Sequence, residues 1–186
     1  MTTIVGYRTE NKVYMGADSL ASEDSNGFKE LRKDPKVFIN GEYLIGFSGS
    51  YRTGQILMHS IKYPTPPKSD KTLYKFMVTT FIDVIVDSFE DKGAIKDKST
   101  DRILETECAF LVGIRNRLFC VDIDFQVAEP YHNYTAIGSG REFAIGAIGI
   151  LDNYSDSTPE DKILEALKIT EKNNSQTSGP FIVLNT

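Results

Sequence analysis

Strand-like patterning starts within four residues of the N-terminus. Residues 3–8 (TIVGYR) and 12–18 (KVYMGAD) predict two strands around a turn at Glu10-Asn11. KVFINGEYLIGFS predicts a second hairpin over 36–39 and 43–48, turning at Asn40-Gly41, because Asn-Gly between apolar runs favours a two-residue turn. The stretch between the hairpins, LASEDSNGFKELRKDP, is polar and predicts a solvated loop. A helix is expected from about Tyr51 to Tyr63, stopped by the PTPP run, since proline cannot continue a helix. A longer helix is expected from about Lys71 to Asp91, where Leu73, Phe76, Met77, Val84 and Ile85 recur at helical spacing. Residues 92–104 read as a charged loop, and 107–114 with 117–127 as a third hairpin. In its second strand Val121, Ile123, Phe125 and Val127 alternate with Asp122, Asp124 and Gln126, so one face is buried and the other wet.

The remaining third of the chain predicts a short strand over 134–137, a helix of small residues from about Arg141 to Leu151, and a further helix ending near Lys172. Thr158 caps that last helix, with Pro159 at its first position. A final strand, PFIVLN, closes the pattern. Hairpins imply antiparallel sheets, and alternating blocks of strands and helices imply layered α+β architecture in one domain over 1–186. The long helix carries more apolar surface than one contact needs. Leu73, Tyr74, Met77, Val78, Phe81, Ile82, Val84, Ile85 and Phe89 span about half its circumference, whereas a stripe of roughly 100° suffices to pack on one layer. Tyr74, Val78 and Ile82 are therefore expected to need a second cover, from another helix of the chain or from another copy.

Composition narrows the function classes. A chain of 186 residues buries roughly 70% of its unfolded surface and needs no staples. Net charge is −5 and no stretch is strongly basic, which argues against nucleic acid as a partner. No apolar run approaches the roughly 20 residues of a membrane span, and no secretory leader is evident. Cys108 and Cys120 fall in apolar or alternating segments, so reduced buried thiols and a cytoplasmic chain are expected.

Conventional catalytic signatures are weak. His59 and His132 have no fixed spacing to an acid or thiol, and no set of four zinc ligands is visible. GFSGS (46–50) misses the nucleophile-elbow pattern at its fifth residue, and GSGREF lacks the third glycine of a dinucleotide fingerprint. The Met-Thr start offers another route. Once Met1 is removed, Thr2 carries a hydroxyl and an α-amine whose ordinary pKa of about 7.7–8.0 lies near neutrality. One residue then supplies nucleophile and general base without any histidine.

Six motifs in order extend this reading along nearly the whole chain: TTIVGYR, YMGADS, DPKVF, YLIGFSGS, AIGSGREFAIGAI and TSGPFIVL. Together they resemble the proteasome β-subunit family of N-terminal nucleophile hydrolases, in particular its bacterial HslV-like (ClpQ-like) branch. The resemblance implies a four-layer αββα sandwich of two antiparallel sheets flanked by helices. It makes Thr2 the nucleophile, Asp18 the buried acid beside it, and Lys36 the cation that lowers the pKa of the Thr2 groups. It assigns Gly46 as the backbone oxyanion donor and Ser139 as a hydrogen-bonding serine near the Thr2 amine. One departure stands out: where relatives carry a late aspartate, this chain reads EKNNSQTSGP, so Asn173 or Asn174 takes that place.

The implied activity is peptide-bond hydrolysis through an acyl-enzyme on Thr2, with no metal and no organic cofactor. The implied partners are further copies in a homo-oligomeric ring, an AAA+ unfoldase, and peptide or unfolded-protein substrates. Two other readings remain open on the sequence: a noncatalytic ring or scaffold subunit, and an amidase of the same nucleophile class acting on a small amide.

Overall fold

The structure is a computed structural model that describes residues 2–22, 27–97 and 104–186. Its strands are β1 (Thr3–Arg8), β2 (Val13–Ala17), β3 (Leu20–Ser22), β4 (Lys29–Leu31), β5 (Val37–Asn40), β6 (Tyr43–Gly49), β7 (Ile95–Asp97), β8 (Leu104–Thr106), β9 (Cys108–Ile114), β10 (Arg117–Val121), β11 (Val127–Ala128), β12 (Tyr134–Gly138) and β13 (Ile182–Asn185). The helices are α1 (Tyr51–His59), α2 (Leu73–Phe76), α3 (Ile82–Asp91), α4 (Arg141–Tyr154) and α5 (Pro159–Asn173).

The central strands are buried on both faces, because one face of each sheet closes on the other sheet and the opposite face is covered by helices. The first sheet has the order β12-β1-β2-β13 and the second β11-β10-β9-β6-β5, with antiparallel neighbours throughout. Ile4, Val13, Met15, Val37, Leu44, Leu111 and Leu118 fill the space between them. The outer face of the first sheet packs Val5 against Ala144, Ile148, Ile163 and Leu167 of α4 and α5. The outer face of the second packs Ile45, Phe47 and Phe110 against Ile56, Leu57, Ile85 and Phe89 of α1 and α3. Helix, sheet, sheet, helix is the expected αββα sandwich. Full burial of aliphatic side chains of this size stabilises by about 1.5–3 kcal/mol each, so three stacked apolar seams dominate the fold.

Local chemistry sets several element ends. Thr158 caps α5 by accepting from the Asp161 N–H, with Pro159 next. Ser50 caps α1 in the same way through the Thr53 N–H. Asn40 pairs with Tyr43, so the hairpin turns at Gly41-Glu42, one residue later than predicted.

Other departures have physical causes. The predicted solvated loop contains a two-stranded ribbon, because β3 pairs with β4 and buried Leu20 lies opposite Leu31. α1 ends at His59, four residues before the expected Tyr63, and the Tyr63 hydroxyl turns back to donate to the Leu57 carbonyl at 2.7 Å. β10 ends at Val121, where the Phe125 N–H donates to the Asp122 carbonyl and Phe125 takes φ 64°. That turn carries Ile123 to the surface and breaks the alternation predicted through residue 127. The predicted charged loop at 92–104 is bordered by β7 and β8, which pair with each other; its residues 98–103 lie outside those described. The long helix is continuous from Asp70 to Asp91, with a 3-10 first turn and a π segment over Met77–Phe81 joining α2 to α3. Its broad apolar arc is largely covered within the chain. Ile82 takes its second cover from within the chain and is buried, whereas Tyr74 and Val78 remain exposed.

Candidate active site

Antiparallel register carries the candidate residues to one open end of the sheet pair. Thr3 begins β1 opposite Gly138, which ends β12, so Thr2 lies beside Ser139. On the other side of β1, Ile4 pairs with Ala17, which puts Asp18 across from Thr3. Lys36 immediately precedes β5, and Ser48 and Gly49 end β6. Thr2 is almost wholly buried there, 2% exposed, as are Asp18 and Lys36.

Asp18 is the electrostatic hub of this end. Its Oδ1 accepts from the Thr3 N–H at 2.8 Å and from Lys36 Nζ at 2.9 Å, and its Oδ2 accepts from the Leu20 N–H at 3.1 Å. The carboxylate thereby locks the start of β1, the start of β3 and the lysine into one unit. Lys36 Nζ also donates to the Leu20 carbonyl at 2.6 Å. Burial pushes the Lys36 ammonium below the ordinary lysine range, and the attraction of Asp18 opposes that shift. A buried ion pair of this kind is weak evidence for stability, because desolvation offsets much of the attraction.

Ser139 reaches Thr2 through its hydroxyl, which donates to the Thr2 carbonyl at 3.4 Å. Gly138 holds φ 94°, and a Cβ there would stand 2.0 Å from the Thr2 carbonyl oxygen and 2.9 Å from Ser48 Oγ, so only glycine lets the two chains approach. Asn174, not Asn173, faces this turn: its Nδ2 donates to the Ser139 carbonyl at 2.9 Å. Asn173 lies exposed and bonds back to the Ile169 carbonyl one helical turn earlier. Two hydroxyls that the sequence did not single out, Thr3 Oγ1 and Thr177 Oγ1, lie 2.6 Å apart in the same cluster. Spacing could have flagged Thr177, three residues after Asn174 in a loop that must return to the first sheet.

Gly46 sits elsewhere than its assigned role requires. It lies within β6 between β5 and β9, paired with Val37 and Leu111, and a Cβ on it would meet Ile4 in the inter-sheet seam. The Phe47 N–H donates to the Lys36 carbonyl at 3.0 Å on the β5 side. Successive strand N–H groups point to opposite sides, so the Gly46 N–H is directed at β9 and away from Lys36. The same alternation turns the Gly49 N–H to the Lys36 side, at a residue whose φ of 118° suits glycine. Beside Gly49 a cavity of about 180 Å³ is lined by Ala21, Ser22, Phe28, Glu30, Arg32 and Tyr51. The Arg32 guanidinium lies 4.3 Å over the Tyr51 ring and is held by Asp34.

The two histidines fall outside this end. His59 closes α1, and His132 stacks on Tyr134 at 5.4 Å. Cys108 and Cys120 are free thiols, as expected, with burial pushing them up to about 12 and about 11. Among the described residues no cluster of His, Cys, Asp and Glu could hold a metal ion, and no helix is long and apolar enough to cross a membrane.

An αββα sandwich whose first strand delivers a buried threonine to a lysine–aspartate pair at the open end of the sheets defines the N-terminal nucleophile hydrolase class. Similar proteins agree. The chain is 30% identical over 170 residues to the ATP-dependent protease subunit HslV of Campylobacter concisus, covering 90% of this chain and 88% of that protein. It is 26% identical over 183 residues to HslV of Thermosipho africanus, covering 98% and 96%. Among solved structures it superposes on Thiobacillus denitrificans BPH with a TM-score of 0.80 at 18% identity, covering 99% and 97% of the two chains. Eukaryotic HslV from Trypanosoma brucei gives 0.68 at 20% identity, covering 98% of each. No protein-family model matches the chain. The chain belongs to the HslV family of ATP-dependent protease subunits, and its activity is that of a threonine-type peptidase.

Proposed function

We propose that Thr2, exposed as the N-terminal residue by removal of Met1, is the nucleophile, with its own α-amine as the base. The observation that carries this reading is the burial of Thr2 beside Ser139, one residue before the Thr3 N–H that Asp18 accepts while it also holds Lys36. Thr2 Oγ attacks the scissile carbonyl carbon while its proton passes to the α-amine. The tetrahedral intermediate collapses as the leaving amine takes that proton, leaving an ester on Thr2. The amine then deprotonates a water that attacks the ester, and Oγ regains its proton as the acid product departs. The Lys36 ammonium favours the less protonated forms of the Thr2 groups, Asp18 holds Lys36, and Ser139 holds the Thr2 carbonyl. We assign the oxyanion donor to the Gly49 N–H rather than that of Gly46, on the direction of the β6 amides. A preorganised donor of this kind is worth about 10²–10³ in rate. The cavity at Tyr51 and Arg32 receives a substrate side chain.

Kinship with proteins named ATP-dependent protease subunits supports a cytoplasmic homo-oligomeric ring fed with unfolded polypeptide by an AAA+ unfoldase. The test joins intact mass with hydrolysis of a fluorogenic peptide. Mature protein should be lighter by one methionine, Thr2→Ala should be inactive but folded, and Thr2→Ser should keep part of the rate. A Thr2→Ala protein with full activity would overturn the reading.

A further inference from the structure

We propose that Asn174 is a positioning residue for Thr2, and that the site requires a neutral amide at this place rather than the acid that the resemblance implies. The proposal rests on the Thr2 reading above. Both ends of the Asn174 side chain are committed to backbone groups of opposite kind. Nδ2 donates to the Ser139 carbonyl at 2.9 Å, and Oδ1 accepts from the Gln176 N–H at 2.8 Å. The opposite amide orientation would set oxygen against carbonyl oxygen and NH₂ against N–H, so the hydrogen-bond network admits one assignment.

A carboxylate cannot reproduce this. It has acceptors only, so one oxygen would suit Gln176 while the other faced the Ser139 carbonyl with no proton between them. Only the protonated acid restores a donor. The side chain acts on Thr2 through a short relay. Ser139, held by its carbonyl, donates through its hydroxyl to the Thr2 carbonyl. The preceding residue, Gly138, is in the positive-φ conformation that lets the turn lie against Thr2. Asn174 also anchors the Thr177 loop against the same turn, because its backbone carbonyl accepts from the Thr177 N–H at 3.2 Å and the Thr177 hydroxyl pairs with that of Thr3. One residue at the C-terminal cap of α5 thus ties the turn after β12 and the Thr177 loop to the start of the first strand.

The test compares Asn174→Asp and Asn174→Ala with the unmodified protein, reading kcat and KM on a fluorogenic peptide from pH 5.5 to 9, with thermal melting alongside. The charged groups that share a surface depression with Asn174 are Lys29 and Glu30 of β4 and Glu171 of α5. Lys29 and Glu171 are already engaged, by the Ser175 carbonyl and by Ser178 with the Gly179 N–H respectively. At pH 8 both variants should lose about tenfold to hundredfold in kcat with KM little changed, the scale expected for a misplaced nucleophile. The activity of Asn174→Asp relative to the unmodified protein should rise as pH falls, because protonation restores the donor. The same ratio for Asn174→Ala should stay flat. A role confined to capping α5 would lower melting temperature equally in both and leave the ratio independent of pH, which would overturn the proposal. Thr2→Ala, run in parallel, separates the two levels. Hydrolysis persisting in Thr2→Ala overturns the Thr2 reading and this inference with it. An inactive Thr2→Ala beside an Asn174→Asp with undiminished kcat at pH 8 overturns this inference alone.

Discussion

Replacing Asp18 with alanine strands the Lys36 ammonium in a site where both side chains are essentially buried, 0% and 1% exposed. Breaking a buried pair by removing one partner costs about 3–5 kcal/mol, because the remaining charge is uncompensated. The Thr3 and Leu20 N–H groups lose their acceptor in the same change. Each unsatisfied buried donor adds about 1–3 kcal/mol, against a total stability of about 5–15 kcal/mol for a domain. Lys36→Ala is milder: the carboxylate keeps two backbone donors, and the losses are the Leu20 carbonyl contact and the packing of the lysine stem. The double variant removes the stranded charge, so it should be no less stable than Asp18→Ala alone, and both singles and the double should be nearly inactive. Urea unfolding of the four proteins, with kcat/KM on one peptide, measures the coupling; acting as a unit, the pair should show strongly non-additive losses. The pH dependence has a definite sign. Burial already lowers the Lys36 pKa, and loss of Asp18 removes the attraction opposing that shift. The unfolded chain then binds more protons than the folded one between the depressed pKa and the ordinary lysine value of about 10.4, so stability of Asp18→Ala should rise with pH across that window. Losses that simply add, or stability that falls as pH rises from 7 to 10, would refute the pairing argument.

Gly138→Ala should fold with a penalty of about 1–3 kcal/mol from its φ of 94°, and should lose about a hundredfold in kcat because the new Cβ displaces the Thr2 carbonyl; a folded variant with unchanged kcat would contradict the close approach. Val78→Lys should leave the subunit's stability unchanged while reducing assembly size in light scattering during size-exclusion chromatography, since Val78 is exposed. Ile82→Lys should instead lose more than about 2 kcal/mol in urea unfolding, because Ile82 packs inside the chain. An intact assembly in Val78→Lys would place the subunit contact elsewhere. Both thiols should resist a disulfide reagent at pH 8 in the folded protein and react fully in urea, since burial pushes Cys108 up to about 12 and Cys120 up to about 11. Prompt native labelling of either would show that segment opening.

What lay within a few residues was legible in the chain. Thr158-Pro159 announces α5, Asn40-Gly41 announces the β5–β6 hairpin, and short apolar runs on either side of Glu10-Asn11 announce β1 and β2, because caps, tight turns and local apolar runs depend on neighbours in sequence. The identities of Thr2, Asp18, Lys36 and Ser139 were legible as motif positions, and their convergence follows from hairpin register once the strands are paired. Tertiary structure decided what depends on segments far apart. Whether Asn173 or Asn174 faces the site turns on the end of α5 meeting the β12–α4 turn, 35 residues away in sequence. That the Gly46 amide points at β9 and the Gly49 amide toward Lys36 follows from strand pairing on both sides of β6, which no local pattern encodes. The β3–β4 ribbon and the burial of Ile82 have the same origin. Three-residue strands are too short for a periodic signal, and a side chain on the rim of an apolar arc is buried or exposed according to what packs beside it.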